Sequence, residues 1–553
     1  KTMISIPDLL ISVAYILVIF WVGLRAGVKS DGIKRTERSS TGYFLAGKTL
    51  RWPVIGLALF ATNISCIHLV SLAQSGFDTG LLNGNFEWMA AFTLILLALF
   101  FVPFYIKSGV ATLPDFLERR YNRACRDWLT GVSVLSAVII HIAFSLLAGG
   151  IVLETLLGVN MYVSVTVISV LVAIYTVIGG LKAVVVTESI QTVVLVLGAL
   201  IIAVVSWLKL GGWQPLTEVL VTTHSMQKIS MLRPAGDPDG MPWYAVFLGY
   251  PVIGIWYWCA DQTIVQRVLG ARDENHAKAG ALFCGFIKIL PVFIFVMPGL
   301  FAYALAHKGL LDLESVTTVS ATGEEIINSK GIYTLMISQL LPTGLTGIVV
   351  AALLSGLMSQ VSGALNSIAT LVSFDFIKRN RPTITDDQLV YWGRMSAAAA
   401  LVVSVALLPL LNRYESLFVG LNDVIAHIAP PITCVFLVGI FWKKASAVSA
   451  QYTLWAGSFL GVLAYAVGKL YPLSFLAETP FMMIAFYLFC FCVGFQVLLS
   501  FLLPVRHTAE SRLLFWQTPL EPLRQPGWKG LGNYKVLSTI LMAVMAGLYL
   551  IFN

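Results

Sequence analysis

"IWYWCADQTIVQR", residues 255–267, decides how this chain is read. It holds two tryptophans, a tyrosine, an aspartate, two glutamines and an arginine, yet it closes an apolar run that begins near residue 243. Polar and ionisable side chains inside a hydrophobic span are costly and persist where a function or a partner needs them. The reading turns on what kind of chain surrounds this stretch.

The 553 residues are 58% hydrophobic and 12% charged. Soluble domains carry about 25% charged residues, so the composition implies an all-α polytopic membrane protein. A bilayer core takes about 20 apolar residues per helix. Fourteen candidate spans follow, near 4–24, 52–76, 84–106, 127–156, 161–179, 185–208, 243–266, 278–306, 333–376, 392–411, 415–441, 447–470, 478–503 and 536–552. The 333–376 segment is too long for one simple span, and its first part is expected to lie outside the membrane. The 4–24 stretch lacks a small-residue cleavage site and is expected to remain as a span rather than leave as a signal peptide.

The net charge of +8 does not imply a nucleic-acid partner, because the basic residues sit in short loops between spans. Lys and Arg favour the cytoplasmic side. With the N-terminus outside, the inner loops hold 27 of them and the outer segments 8, leaving only Lys288 within a span. That asymmetry predicts a multi-pass protein of the plasma (inner) membrane with its N-terminus outside. Lys1, Lys34, Arg35, Arg38 and Arg413 are among the residues counted. The seven cysteines show neither a disulfide framework nor metal spacing.

"GYFLAGKT", Gly42–Thr49, fits the phosphate-loop pattern G-x-x-x-x-G-K-[ST]. A phosphate cradle needs a strand before it and a helix starting at the lysine. Here a charged loop precedes and "LRWP" follows, so the expectation is a loop packed on the cytoplasmic helix ends. No nucleophile–base arrangement is evident, and an enzyme is not expected.

Polar residues cluster inside other spans too. In "ALFATNISCIHLVSLAQSG", Thr62, Ser65 and His68 recur every three residues on one helical face, with Asn63 beside them. Glu87 opens the third span in "NFEWMAAF". Lys288 lies in "CGFIKILPVF", and a mid-membrane ammonium needs a partner or water. Ser355, Ser359, Ser362 and Asn366 form a stripe that suits either a tight helix contact or an ion site. "GLNDVIAHIAPPITCVF" carries Asn422, Asp423 and His427 before a Pro430–Pro431 break or kink. Asp261 and Arg267 are expected to form a structural or gating pair. Polar stripes, interrupted helices and a buried lysine together describe a transporter with a midplane site.

"WYWCADQTIVQR" closely resembles the sodium/solute symporter family, specifically its sodium–glucose cotransporter branch. The likeness continues through "YFLAGK", "ATNIS" with His68, "FEW", "YTVIGGLKAVV", "CGFIK" with "VMPG", "LNS", and "APPI" with "VGIFWKK", about residues 40–445. The resemblance implies a LeuT-like fold of two five-helix inverted repeats, about 52–208 and 243–441, with an extracellular loop at 209–242. One helix and a cytoplasmic loop (1–51) precede them, and three helices (442–553) follow.

By residue-wise match the resemblance implies a sugar site. Tyr257 takes the place of the aromatic gate that stacks on the sugar ring, with Trp258 beside it. His68, Glu87, Lys288 and Asn422 match positions that hydrogen-bond sugar hydroxyls. Asn422 stands where the family often has Gln, and Gly254 where bacterial galactose carriers of the branch have Asn. The implied sodium ligands are Ala61, Ile64, Gly356 and Ser359. Gln360 replaces the second of two adjacent serines, and Glu188 replaces an Asp implicated in coupling, so Glu188 and Asp261 are the coupling candidates. The function implied is sodium-coupled symport of a hexose-like sugar or related polyol by alternating access. A sodium-independent or proton-coupled carrier, or a sensor or channel on the same fold, stays as the alternative. The partners implied are a small sugar, sodium and the lipid bilayer. Lys288→Ala is expected to abolish sugar binding in a folded protein.

Overall fold

The structure is a computed structural model that describes residues 4–31, 40–319, 325–412, 417–503 and 505–553. Of the basic residues counted for topology, Lys1, Lys34, Arg35, Arg38 and Arg413 lie outside the described residues. Eleven described helices are long and apolar enough to cross a membrane. The named strands among the described residues are one antiparallel pair, Thr317–Val319 with Glu325–Ile327.

Eleven long helices and fourteen expected spans differ for local reasons. Met161–Leu210 runs for 50 residues through both the 161–179 and 185–208 spans. At 1.5 Å per residue that is about 75 Å, far more than the ~30 Å hydrocarbon core. Gly180 divides it, at φ 61° and ψ −155°. A side chain there would strike the Tyr43 carbonyl, 2.5 Å from a built Cβ. The long apolar stretch Cys66–Ser108 likewise covers parts of two expected spans. The 243–266 span is absent from the long helices because it is broken.

Two breaks position the site. The first separates Trp52–Asn63 from Cys66–Thr79, with Ile64 and Ser65 extended between them. Ser65 and His68 close the new helix start: the Ser65 N–H donates to His68 Nδ1 at 3.3 Å, and Ser65 Oγ lies 3.2 Å from the same atom. The second lies in the opening stretch. Trp243–Ile255 passes into a wide turn at Trp256–Ala260, Asp261 turns extended, and Gln262–Leu269 begins anew. Asp261 Oδ1 caps that helix by accepting the Thr263 N–H at 2.9 Å. The Tyr105 hydroxyl donates to the Cys259 carbonyl at 2.5 Å, so the break leaves that carbonyl satisfied.

Two other expectations change in detail. The 333–376 segment divides at Gly344 (φ 93°) into Ile332–Leu340 and Leu345–Leu371. Pro430 and Pro431 do not break their helix, which continues over Leu417–Phe441. Helix-breaking residues are tolerated in a span when neighbouring side chains satisfy freed backbone groups. The carbonyls freed here are those of Ala426 and His427, and Gly461 packs closely on the second, a built Cβ falling 2.1 Å from it. Around Gly42–Thr49 the helix comes before the glycine–lysine pair, at Ser40–Leu45, rather than after it. Leu50 then pairs with Ala271, and the Tyr43 hydroxyl donates to Val177 O. This is a packed loop, not a phosphate cradle.

Candidate functional site

Between the two breaks lies a cavity lined by residues of both broken helices. Of the six residues matched to sugar contacts, His68, Glu87, Tyr257, Trp258 and Asn422 line it. Lys288 stands just behind the wall. Its ammonium forms an ion pair with Glu87 and donates to Asn63 Oδ1 at 2.6 Å. It also sits 5.5 Å from the Trp258 ring centre. A buried ammonium is too costly without such partners. Asn63 is the hub of this wall, because its Nδ2 donates to the Tyr257 hydroxyl at 3.1 Å. The sequence offered Asn63 only as a neighbour of the polar face.

His68 is committed on one side. Its Nδ1 accepts from Ser65, which leaves the proton on Nε2. That atom lies 3.9 Å from Glu87 Oε1, beyond hydrogen-bond reach, and is free to meet a ligand acceptor. Asn422 spends one hydrogen on the Phe418 carbonyl at 2.9 Å. Phe86 packs edge-on against Phe418 at 5.2 Å beside the same cavity. The wall thus offers a charged carboxylate, an imidazole donor, an amide and two aromatic faces. Aromatic rings suit the apolar C–H face of a polyhydroxylated ring, and charged groups make the stronger bonds to its hydroxyls.

Three of the matched ion positions, Ala61, Gly356 and Ser359, meet beside the first break. Ser359 Oγ donates to Ala61 O at 2.8 Å and to Gly356 O at 3.2 Å. Ile64 lies in the extended stretch directly after. Gly356 packs on that stretch, a built Cβ falling 3.1 Å from the Ser65 carbonyl carbon. One hydroxyl therefore lies within reach of two carbonyls here, and all three are hard oxygens. Gln360 reaches elsewhere: its Nε2 donates to His141 Nδ1 at 2.6 Å, and it lines the central cavity.

The coupling candidates require a correction. Asp261 and Arg267 do not pair with each other. Arg267 grips Glu188 with two nitrogens, Nη2–Oε1 at 2.6 Å and Nε–Oε2 at 3.3 Å, and both side chains are fully buried. Thr62 donates to the same Glu188 oxygen at 2.9 Å. Asp261 instead holds His141, Oδ2 to Nε2 at 2.5 Å. The turn at Asp261 sends its carboxylate to the new helix start and to His141, away from Arg267. His141 is a functional candidate missing from the sequence reading; a lone histidine in "SAVIIHIAFS" was the available signal.

The profile of the sodium:solute symporter family matches residues 43–457. The sodium/mannose cotransporter of Bos taurus is 33% identical over 477 residues, 84% of this chain and 80% of that protein. Sodium/glucose cotransporter 2 of Rattus norvegicus is 33% identical over 487 residues, 84% and 72% respectively. The sodium/myo-inositol cotransporter of Canis lupus familiaris is 30% identical over 552 residues, 93% and 76%. Among solved structures, a sodium-coupled sialic acid symporter in a substrate-bound outward-open state superposes with a TM-score of 0.77. The two are 19% identical, and the match covers 91% of this chain and 100% of that one.

Proposed function

Because the chain belongs to the sodium:solute symporter family, we propose that this transporter couples sodium entry to uptake of a hexose-like sugar or cyclitol. The carrying observation is the cavity between two broken helices, where Tyr257 and Trp258 face Glu87, His68 and Asn422. The relatives named for mannose, glucose and myo-inositol support that substrate class. Sodium binds at Ala61, Ile64, Gly356 and Ser359, beside the break whose other face carries His68. Filling the ion site stiffens the break and favours the outward-open form. The inverted repeats 52–208 and 243–441 then rock around the fixed site, the N-terminus being outside and the membrane the plasma membrane. One sodium crossing 100 mV supplies about 2.3 kcal/mol, and a tenfold gradient about 1.4 kcal/mol more. Together they sustain a sugar ratio of a few hundred.

A carrier independent of sodium, or coupled to protons, is the second reading. It is favoured by one observation: Gln360 bonds to His141 instead of joining the oxygen cluster. Uptake of labelled glucose, galactose and myo-inositol into proteoliposomes, with and without an inward sodium gradient, separates the readings. Accumulation only with sodium is expected. Equilibration without sodium would establish the second reading, and no movement of any of the three would refute the substrate class.

A further inference from the structure

The cavity has a second polar wall, formed by His141, Ser145 and Gln360. None of the three was matched to a sugar contact. Their hydrogen bonds run in one direction. Asp261 accepts from His141 Nε2, so the ring proton sits there. His141 Nδ1 is then an acceptor, and it takes a hydrogen from Gln360 Nε2. One of the two amide hydrogens is thereby committed, and the orientation of the amide is set. Gln360 Oε1 is buried with no hydrogen-bond partner among the described residues, and so is Ser145 Oγ. Buried polar atoms are almost always paired, so two without a protein partner beside a single cavity are open to a ligand or a water.

We infer that Gln360 Oε1 and Ser145 Oγ form a second recognition pole, binding a ring hydroxyl of the substrate opposite the Glu87 pole, with His141 and Asp261 positioning the amide. This rests on the sugar-transport reading. Tyr257 stands between the poles: its hydroxyl is tied to Asn63, and its ring centre is 5.9 Å from that of His141. The substrate class that satisfies both poles is a six-membered ring with hydroxyls on opposite edges, a pyranose or a cyclitol. A cation is the less fitting occupant of the second pole. Ser359, next in the chain, already points to the Ala61 carbonyl, and successive helical side chains diverge by about 100°.

The test is binding of myo-inositol, glucose and their monodeoxy analogues to the purified full-length protein, beside the sodium dependence of binding. Gln360→Met keeps the length and removes the acceptor. One analogue is expected to bind the unaltered protein roughly three- to tenfold more weakly than its parent. Gln360→Met should weaken the parent by the same factor and leave that analogue unchanged. His141→Phe, which cannot hold the amide, should show the same analogue-selective loss in smaller measure. Ser145→Ala, a change of one hydroxyl, repeats the test should a larger variant not fold. Equal weakening of every analogue would overturn the inference. So would a shift in sodium half-saturation with sugar selectivity intact. If the unaltered protein binds no sugar, the transport reading falls first and this one with it.

Discussion

Adding a single methyl group at Gly363 should disrupt the Thr62–Glu188–Arg267 bridge that links the two broken helices through a third. A Cβ built there lies 2.4 Å from Arg267 Nη2, 3.0 Å from Glu188 Oε1 and 3.2 Å from Thr62 Cγ2. Ordinary contact needs roughly 3.4–4 Å, so the guanidinium must retreat by about 1 Å. It has nowhere to go, being fully buried and bonded to Glu188 on one side and the Thr263 carbonyl on the other. Overpacking alone costs about 1–3 kcal/mol. Opening a buried ion pair costs about 3–5 kcal/mol. Partial displacement places Gly363→Ala at about 2–4 kcal/mol between these limits. The pair also joins Thr62, beside the first break, to the helix that follows the second, so uptake should fall with stability. Thermal unfolding in detergent and proteoliposome uptake read the two effects. Arg267→Lys removes Nη2 altogether, and Gly363→Ala should cost less in that background than alone, a coupling that a double-mutant cycle isolates. Unchanged melting and uptake for Gly363→Ala, or strict additivity with Arg267→Lys, would refute the steric argument.

Three further outcomes are expected. Lys288→Ala strands buried Glu87 without its cation, so it should destabilise the protein and not merely abolish binding; Lys288→Met with Glu87→Gln should recover the melting temperature but not sugar binding. Ser359→Ala removes the one hydroxyl of the ion cluster and should raise sodium half-saturation about tenfold, while sodium-free sugar affinity stays within error in equilibrium binding. Glu118, on the loop helix Leu113–Arg120, is pushed up by burial but held below its ordinary value by the stronger joint pull of Arg126 and Arg379. A depressed carboxylate stabilises above its unfolded value and loses that contribution as pH falls through the folded one; the loop should therefore loosen once pH falls below the ordinary glutamate range, seen as faster hydrogen exchange at 113–120, and Glu118→Gln should remove the dependence.

How much of this was legible depended on whether the information was local. Span positions were, because hydrophobic runs are contiguous. The breaks were signalled by polar residues in those runs, at Asn63–Ser65 and at Asp261. The convergence of His68, Glu87, Tyr257, Trp258 and Asn422 on one cavity came through family likeness, since no spacing rule joins residues from four separate segments. Partnership was not legible. A sequence shows which buried charges are expensive, but not which distant group compensates them. Lys288 pairs with Glu87 across 201 positions, and Arg267 with Glu188 across 79. Asp261, six residues upstream in the same apolar run, was the natural guess for Arg267 and the wrong one. A helix break reorients everything after it, and proximity along the chain ceases to predict proximity in space.

The opening stretch shows why such a segment carries so much polarity. Its aromatic part, Tyr257 and Trp258, lines the cavity. Its polar part serves the break itself. Asp261 caps the following helix and holds His141. Gln262 accepts the Leu113 N–H at 2.8 Å. Gln266 donates to the Phe44 carbonyl and to Thr370, and Arg267 holds Glu188. None of these four lines the cavity, but each ties the second half of the broken helix to a different neighbour. An interrupted helix in lipid exposes backbone groups that water cannot satisfy, so a break stays only if side chains anchor both of its ends. Holding Tyr257 and Trp258 at the cavity therefore requires the polar residues that follow them. Substitutions at 261–267 should disturb binding by releasing the helix, whereas substitutions at 257 and 258 disturb it by altering contact. The first kind lowers stability and affinity together, whereas a conservative change at half-buried Tyr257, such as Tyr257→Phe, lowers affinity more than stability, which makes the division of labour measurable in a single set of variants.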